Sequence, residues 1–180
     1  MIIAIAGVKG SGKTTASEVF INRGFILINF ADMLKEYLME NYGFSYEEMY
    51  DPSLKEVPDA RGRIPRQFMQ EHADIIKKKC GDSVFVDHVV SVIQKNPGNY
   101  IIGDLRYHSE FDKLAHAGAV FIYIDRKVDE NHLSNHSSEQ EVKELRKKCN
   151  HMIKNDGSRA GFLNNIAILA ESVDRGNSTN

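Results

Sequence analysis

Residues 7–14 read GVKGSGKT, a complete G-x-x-x-x-G-K-[ST] run that follows the apolar stretch MIIAIA and precedes a helix-like stretch. No other feature constrains the fold as tightly. Gly7, Gly10 and Gly12 remove side chains where a backbone must curl round an anion with its N–H groups turned inward. A helix starting near Lys13 points the positive end of its dipole into the same hollow. Lys13 then reaches β- and γ-phosphate oxygens, and the Thr14 hydroxyl can join the coordination shell of Mg²⁺. Ile2, Ile3 and Ile5 supply the buried strand that such a loop needs before it, and Thr15, Val19 and Phe20 leave the helix after it one apolar stripe, as on a helix lying against a sheet. The expectation is a nucleoside triphosphate site.

The remainder of the chain fits a compact enzyme. With 180 residues, 42% of them hydrophobic, it can bury one sizeable core, and one α/β domain spanning 1–180 is expected. A formal charge of −2 and a pI near 6.4 give no global attraction to nucleic acid or to an anionic membrane. Cys80 and Cys149 are isolated, with no C-x-x-C spacing and no secretory signal, which predicts a reduced, cytoplasmic protein. No apolar run approaches the roughly 20 residues that cross a bilayer.

Short apolar runs alternate with longer amphipathic stretches. Strands are expected at 1–6, 25–30, 99–103, 119–125 and 151–155, and helices at 13–22, 31–42, 65–79, 82–95, 107–117, 138–149 and 158–173. Five strands separated by helices imply a parallel sheet with right-handed crossovers. Ligands then sit at the carboxyl ends of the strands. A helical insert, 31–98, separates the second and third strands.

Four stretches carry candidate chemistry. In IIGDLR, Asp104 ends a strand where a carboxylate can hold Mg²⁺ opposite Thr14, and Arg106 can meet a phosphate; alternatively Asp104 caps the next helix and Arg106 is a solvated charge. Asp125 is the competing carboxylate. In RGRIPRQFMQ, Pro65 suits the first turn of a helix, yet Arg66 follows at the end where the dipole disfavours cations. A bound phosphate would reconcile Arg61, Arg63 and Arg66, as would pairing with Glu56 and Asp59. Gln70, one turn beyond Arg66, can read a ring edge. In NFADMLK, Asp32 either orients an acceptor hydroxyl or water or caps a helix, with Lys35 one turn further on. The charged segment 126–150 has a lid's composition, with a Ser138-to-Glu141 capping signature and Arg126, Lys127 and Arg146 as cations for a transferring phosphoryl group. His132 and His136 lack third and fourth partners at a zinc-binding spacing.

Taken in order, GVKGSGKTT, NFADMLK, RIPRQFMQ, GDLRYHSE, HSSE and NDGSRAGFLNNI resemble the phage-type deoxynucleoside monophosphate kinases, of the P-loop nucleoside-monophosphate-kinase-like group, over nearly the whole chain. The resemblance implies a P-loop NTPase fold, a three-layer αβα sandwich on a five-stranded parallel sheet, with 31–98 as the acceptor-binding insert and 126–150 as the lid. It implies ATP-dependent phosphorylation of a (deoxy)nucleoside monophosphate, with Mg²⁺. Gly7, Lys9, Gly10, Ser11, Gly12, Lys13, Thr14 and Thr15 would hold ATP, with Asn155 and Gly157 in the turn beside its adenine. Asp32, Lys35, Arg63, Arg66, Gln70 and Arg106 would line the acceptor; Lys13, Arg66, Asp104, Arg106 and Arg126 would act in transfer; Thr14 and Asp104 would serve the metal. His136 and Glu139 match the family's H-x-x-E segment. The acceptor helix departs from the family by continuing as EHAD, and the next helix reads SVFVDHVV, without tryptophan. The partners expected are two small molecules, with neither nucleic acid nor membrane; a homodimer stays open, and the compartment is the cytoplasm, that of the host if the chain is phage-encoded. Related kinases of dephospho-coenzyme A or phosphomevalonate, and a non-catalytic nucleotide switch, are the alternatives.

Overall fold

The computed structural model describes residues 1–127 and 137–177, with side chains at 1–127 and 140–173. Five strands, β1 (Ile2–Ala6), β2 (Ile26–Leu27), β3 (Tyr100–Leu105), β4 (Val120–Asp125) and β5 (His151–Lys154), form one sheet in the order β2-β3-β1-β4-β5. Every pairing is parallel. The helices among the described residues are α1 (Lys13–Ile21), α2 (Asp32–Tyr42), α3 (Tyr46–Tyr50), α4 (Pro65–Cys80), α5 (Val84–Lys95), α6 (His108–His116), α7 (Ser137–Leu145) and α8 (Arg159–Asn177). None is long and apolar enough to cross a membrane.

The chain forms two compact units, one of residues 1–29 with 89–180 and one of residues 30–88. The first holds the sheet. β1 lies at its centre and is buried throughout, which is why its sequence is a continuous apolar run rather than an alternating one. Ile3, Ile5, Ile101, Ile122 and Ile124 join Ala16 and Phe20 of α1 and Phe162, Ile166 and Leu169 of α8 in one core cluster. On β4 the intervening residue Phe121 stacks on Phe111 of α6, with ring centroids 3.9 Å apart. Strand alternation therefore puts α1 and α8 on one face of the sheet and α6 on the other. Each fully buried side chain of this size stabilises by about 1.5–3 kcal/mol.

Three boundaries differ from the periodicity in informative ways. The run 25–30 yields only the two-residue edge strand β2, whose side chains are exposed. It has one neighbour, β3, and beyond it the side chain of Asn29 accepts from Gly103 N at 3.3 Å, ending the ladder. β3 runs two residues past 103, and its register against β1 shifts between Ala4 and Ala6. In the second unit α3 stands in what reads as loop. Its signal is Ser45 and Glu48, a reciprocal capping box in which Glu48 N donates to Ser45 Oγ at 3.1 Å and Ser45 N to Glu48 Oε2 at 2.7 Å.

Candidate active site

The glycine-rich loop leaves the carboxyl end of β1. Gly7 and Gly12 adopt φ of +153° and +106°. A Cβ on Gly7 would lie 2.6 Å from Ser11 Oγ and 2.8 Å from Ile124 O, and one on Gly12 would lie 2.6 Å from Asn155 Nδ2. Backbone strain and lack of space both exclude a side chain there.

The loop's carbonyls are gathered by three side chains. Lys13 Nζ donates to Gly7 O at 2.5 Å and Val8 O at 3.0 Å, Arg126 Nη1 to Gly10 O at 3.0 Å, and Asn155 Nδ2 to Ser11 O at 2.7 Å. In a trans peptide the N–H points opposite its C=O, so fixing the carbonyls of residues 7, 8 and 11 turns the N–H groups of Val8, Lys9 and Gly12 the other way. Ser11 Oγ is buried without a hydrogen-bond partner. α1 starts at Lys13 with no side-chain cap bond and no acidic residue in its first turn, an electropositive end. Thr14 is exposed as its second residue, and Lys9 is exposed on the loop. These features suit a polyphosphate and a metal ion carried on it.

Asp104 is half-buried inside β3, not beyond it. Gly103 and Asp104 together face Ile5, because the register jumps from Ala4↔Ile102 to Ala6↔Leu105. Such a bulge re-aims a side chain, here opposite Ile5, two residues before the phosphate loop begins. Asp104 is not a helix cap: Tyr107 holds that position in α6, and Glu110 Oε2 accepts from Arg106 N at 2.9 Å and Tyr107 N at 3.0 Å. The competing carboxylate, Asp125, pairs with Arg146 Nη2 at 2.9 Å. Among the described residues no three His, Cys, Asp or Glu side chains gather to hold a metal ion.

The turn 155–158 joins β5 to α8. Asn155 N donates to Asp125 O at 2.8 Å, and Lys127 N donates to Asp156 Oδ1 at 2.9 Å. A Cβ on Gly157 would meet nothing within 4 Å, and Ser158 Oγ accepts from Gly161 N at 3.1 Å. Within 126–150, the carboxylate of Glu141 on α7 accepts from His108 N at 3.1 Å. His132, His136 and the side chains of Ser138 and Glu139 lie outside what is described.

The second unit carries the other predicted residues. Asp32 is the first residue of α2, whose cap position is Ala31, and it pairs with Lys35 Nζ at 3.0 Å. Lys35 is buried and sits 4.0 Å from the Tyr50 ring centroid. Burial foremost, then the charges of Asp32 and Glu36, push the Tyr50 hydroxyl up to about 12. Sequence reasoning missed Tyr50, because nothing before folding links α3 to α2.

The arginines are paired. Arg63 Nη2 lies 2.6 Å from Asp59 Oδ2, its Nη1 donates to Tyr42 O at 2.9 Å, and its guanidinium stacks 3.9 Å from the Phe44 ring centroid. Arg61 Nη1 also donates to Tyr42 O, at 2.7 Å. Two cations thus meet the C-terminus of α2, where the dipole favours them. Arg66 pairs with Glu56; it follows Pro65 at the start of α4 as expected. Gln70 is exposed on α4.

A model of the deoxynucleotide monophosphate kinase family matches residues 65–166. A protein of Acanthamoeba polyphaga mimivirus described as "Putative deoxynucleotide monophosphate kinase" is 30% identical over 194 residues, covering 98% of this chain and all of that one. Among solved structures, the dephospho-CoA kinase of Campylobacter jejuni aligns with a TM-score of 0.60 at 18% identity over 98% of each chain. The shikimate kinase of Aquifex aeolicus aligns at 0.53 and 13% identity over 98% of this chain and 99% of its own. At such identities the two structures speak for the fold alone: that of the P-loop kinases.

Proposed function

The chain belongs to the deoxynucleotide monophosphate kinase family, and we propose that it transfers the γ-phosphate of ATP to a (deoxy)nucleoside monophosphate. One observation carries the nucleotide half of this reading: Asn155 holds Ser11 O in a loop kept clear of side chains at Gly7 and Gly12, so that Gly12 N–H and the uncapped start of α1 can serve an anion. The acceptor half rests on family membership.

In the reaction an oxygen of the acceptor phosphate attacks the γ-phosphorus, and the bond from that phosphorus to the bridging oxygen breaks, releasing ADP. A phosphate monoester loses its second proton near pH 6, so the nucleophile needs no strong general base. The protein's task is alignment and charge stabilisation. Lys13 would leave the carbonyls of Gly7 and Val8 for the β- and γ-phosphates, and Arg106 and Arg126 would add charge on the transferring group. Thr14 and Asp104 would hold a Mg²⁺ ion, which neutralises phosphate charge when bound.

On the acceptor side, Arg66 and Arg63 differ. The Arg66 pair with Glu56 is solvent-exposed, with side chains 36% and 60% accessible; exposed pairs are worth little, so exchanging Glu56 for a dianion costs little. Arg63 is already committed to Asp59, Tyr42 O and Phe44. Arg66 is therefore the stronger candidate for the acceptor phosphate, with Arg63 shaping the unit around it. Asp32, Lys35 and Gln70 remain candidates for the sugar and base, and Gly157 for the adenine side of ATP.

Coupled measurement of ADP release tests the reading, with deoxynucleoside and ribonucleoside monophosphates, dephospho-coenzyme A and phosphomevalonate as acceptors. Turnover with one or more deoxynucleoside monophosphates is expected. Turnover confined to another acceptor, or none above ATP hydrolysis, would overturn it.

A further inference from the structure

We propose that Asn155 is a positioning residue of the phosphate loop and does not read the adenine base. Its position in an N-D-G-S turn after the last strand invites a base-reading role, but its backbone N–H and its side-chain amide nitrogen are both turned to the protein. The backbone N–H is bonded to Asp125 O at the end of β4, 2.8 Å away, and the side-chain Nδ2 donates to Ser11 O at 2.7 Å across 144 residues of sequence. One residue thus ties the ends of β4 and β5 to the loop.

The consequence runs through one peptide plane. Ser11 C=O and Gly12 N–H belong to the same trans peptide, so holding the carbonyl sets where the N–H points. Gly12 is also the residue before Lys13, so the same bond fixes how α1 begins. The amide of Asn155 fills the space a Cβ on Gly12 would need, 2.6 Å away, which explains the third glycine of the loop by contact with this side chain as well as by φ. Asp156 is used by the protein too, accepting from Lys127 N. Asn155 is half-buried, while Asp156, Gly157 and Ser158 after it are exposed.

A residue that orients a loop amide affects every ligand that places a phosphate there, whatever base it carries. The inference rests on the kinase reading only through the phosphate loop. Equilibrium binding of Mg·ATP, Mg·GTP and magnesium tripolyphosphate to the full chain tests it, with wild type, Asn155→Ala and Asn155→Gln. Asn155→Gln keeps the amide but is too long to seat at Ser11 O, and it carries the test if Asn155→Ala does not fold. The expected result is a loss of about three- to tenfold, within the weight of one hydrogen bond, shared equally by all three ligands, with the ATP-to-GTP ratio unchanged and the ligand-free melting temperature lowered by the lost Ser11 bond. A loss confined to ATP would make Asn155 a base reader, and undiminished binding would leave the Ser11 bond without consequence; either overturns the assignment, as would a wild type that does not bind tripolyphosphate. If the phosphate effect appears but no monophosphate is turned over, the acceptor reading fails and the Asn155 assignment stands.

Discussion

Lys13 sits within 3.0 Å of two carbonyls of its own loop, so its charge is poised by the backbone that it serves. Lys13→Ala removes both the charge and those bonds. We expect a folded variant, since the side chain is only half-buried and water can take over the carbonyls, with kcat lowered about 10²- to 10³-fold, as for loss of one transition-state charge partner. Steady-state kinetics beside a melting curve checks this; near-normal turnover would remove the loop from the mechanism. Lys13, Thr14 and the glycines were legible because a phosphate loop is a local motif, its geometry contained in eight consecutive residues. Asn155 as a brace was not, since its partner is 144 residues away.

At the scale of elements, the C-terminus of α2 shows how packing supplies partners for charge. Arg61, Arg63 and Arg66 suggest a phosphate site when read along the sequence, yet Arg61 and Arg63 both donate to Tyr42 O, where a helix leaves carbonyls unpaired. The alternative of pairing with Asp59 and Glu56 is what the fold displays. Burial acts to raise the Asp59 carboxyl, but the hydrogen bonds from Arg63 and from the Arg61 and Arg63 N–H groups, with the Arg63 charge, outweigh it and hold the group below its ordinary 3.8. A depressed carboxylate contributes stability that is complete above the unfolded value and is lost as pH falls through the folded one. Melting temperatures should therefore drop as the pH is lowered below about 3.8, and Asp59→Asn should be less stable at neutral pH while losing less on acidification. Parallel pH profiles of wild type and variant would sink the idea. The bulge in β3 is a second element-scale effect: the apolar run ends at Gly103, while ladder pairing with β1 carries the strand on to Leu105.

For the whole molecule, binding of a nucleotide to the loop-bearing unit stabilises the folded state by mass action. At a Mg·ATP concentration of 100 Kd the gain is about 2.7 kcal/mol, which for a chain of this size raises the melting temperature by about 5–10 °C. Calorimetry with and without Mg·ATP measures it, and chelating the metal should return part of the shift. If the two units unfold in separate transitions, the shift belongs to that of residues 1–29 with 89–180. An absent shift at saturating nucleotide would contradict a phosphate site at residues 7–14.

Sequence alone determined the class of fold and the anion loop, because both depend on short-range pattern: apolar runs long enough for buried strands, amphipathic stretches between them, and glycines at fixed spacing before Lys13 and Thr14. It also contained α3, through Ser45 and Glu48, a local signal that the periodicity reading passed over. Tertiary structure alone decided the strand order β2-β3-β1-β4-β5, the bulge that holds Asp104, the donation of Arg61 and Arg63 to Tyr42 O, and the use of Asn155 on Ser11 O. Each joins groups from segments with no shared periodicity, and an arginine's or asparagine's donors take whichever acceptor packing brings within 3 Å.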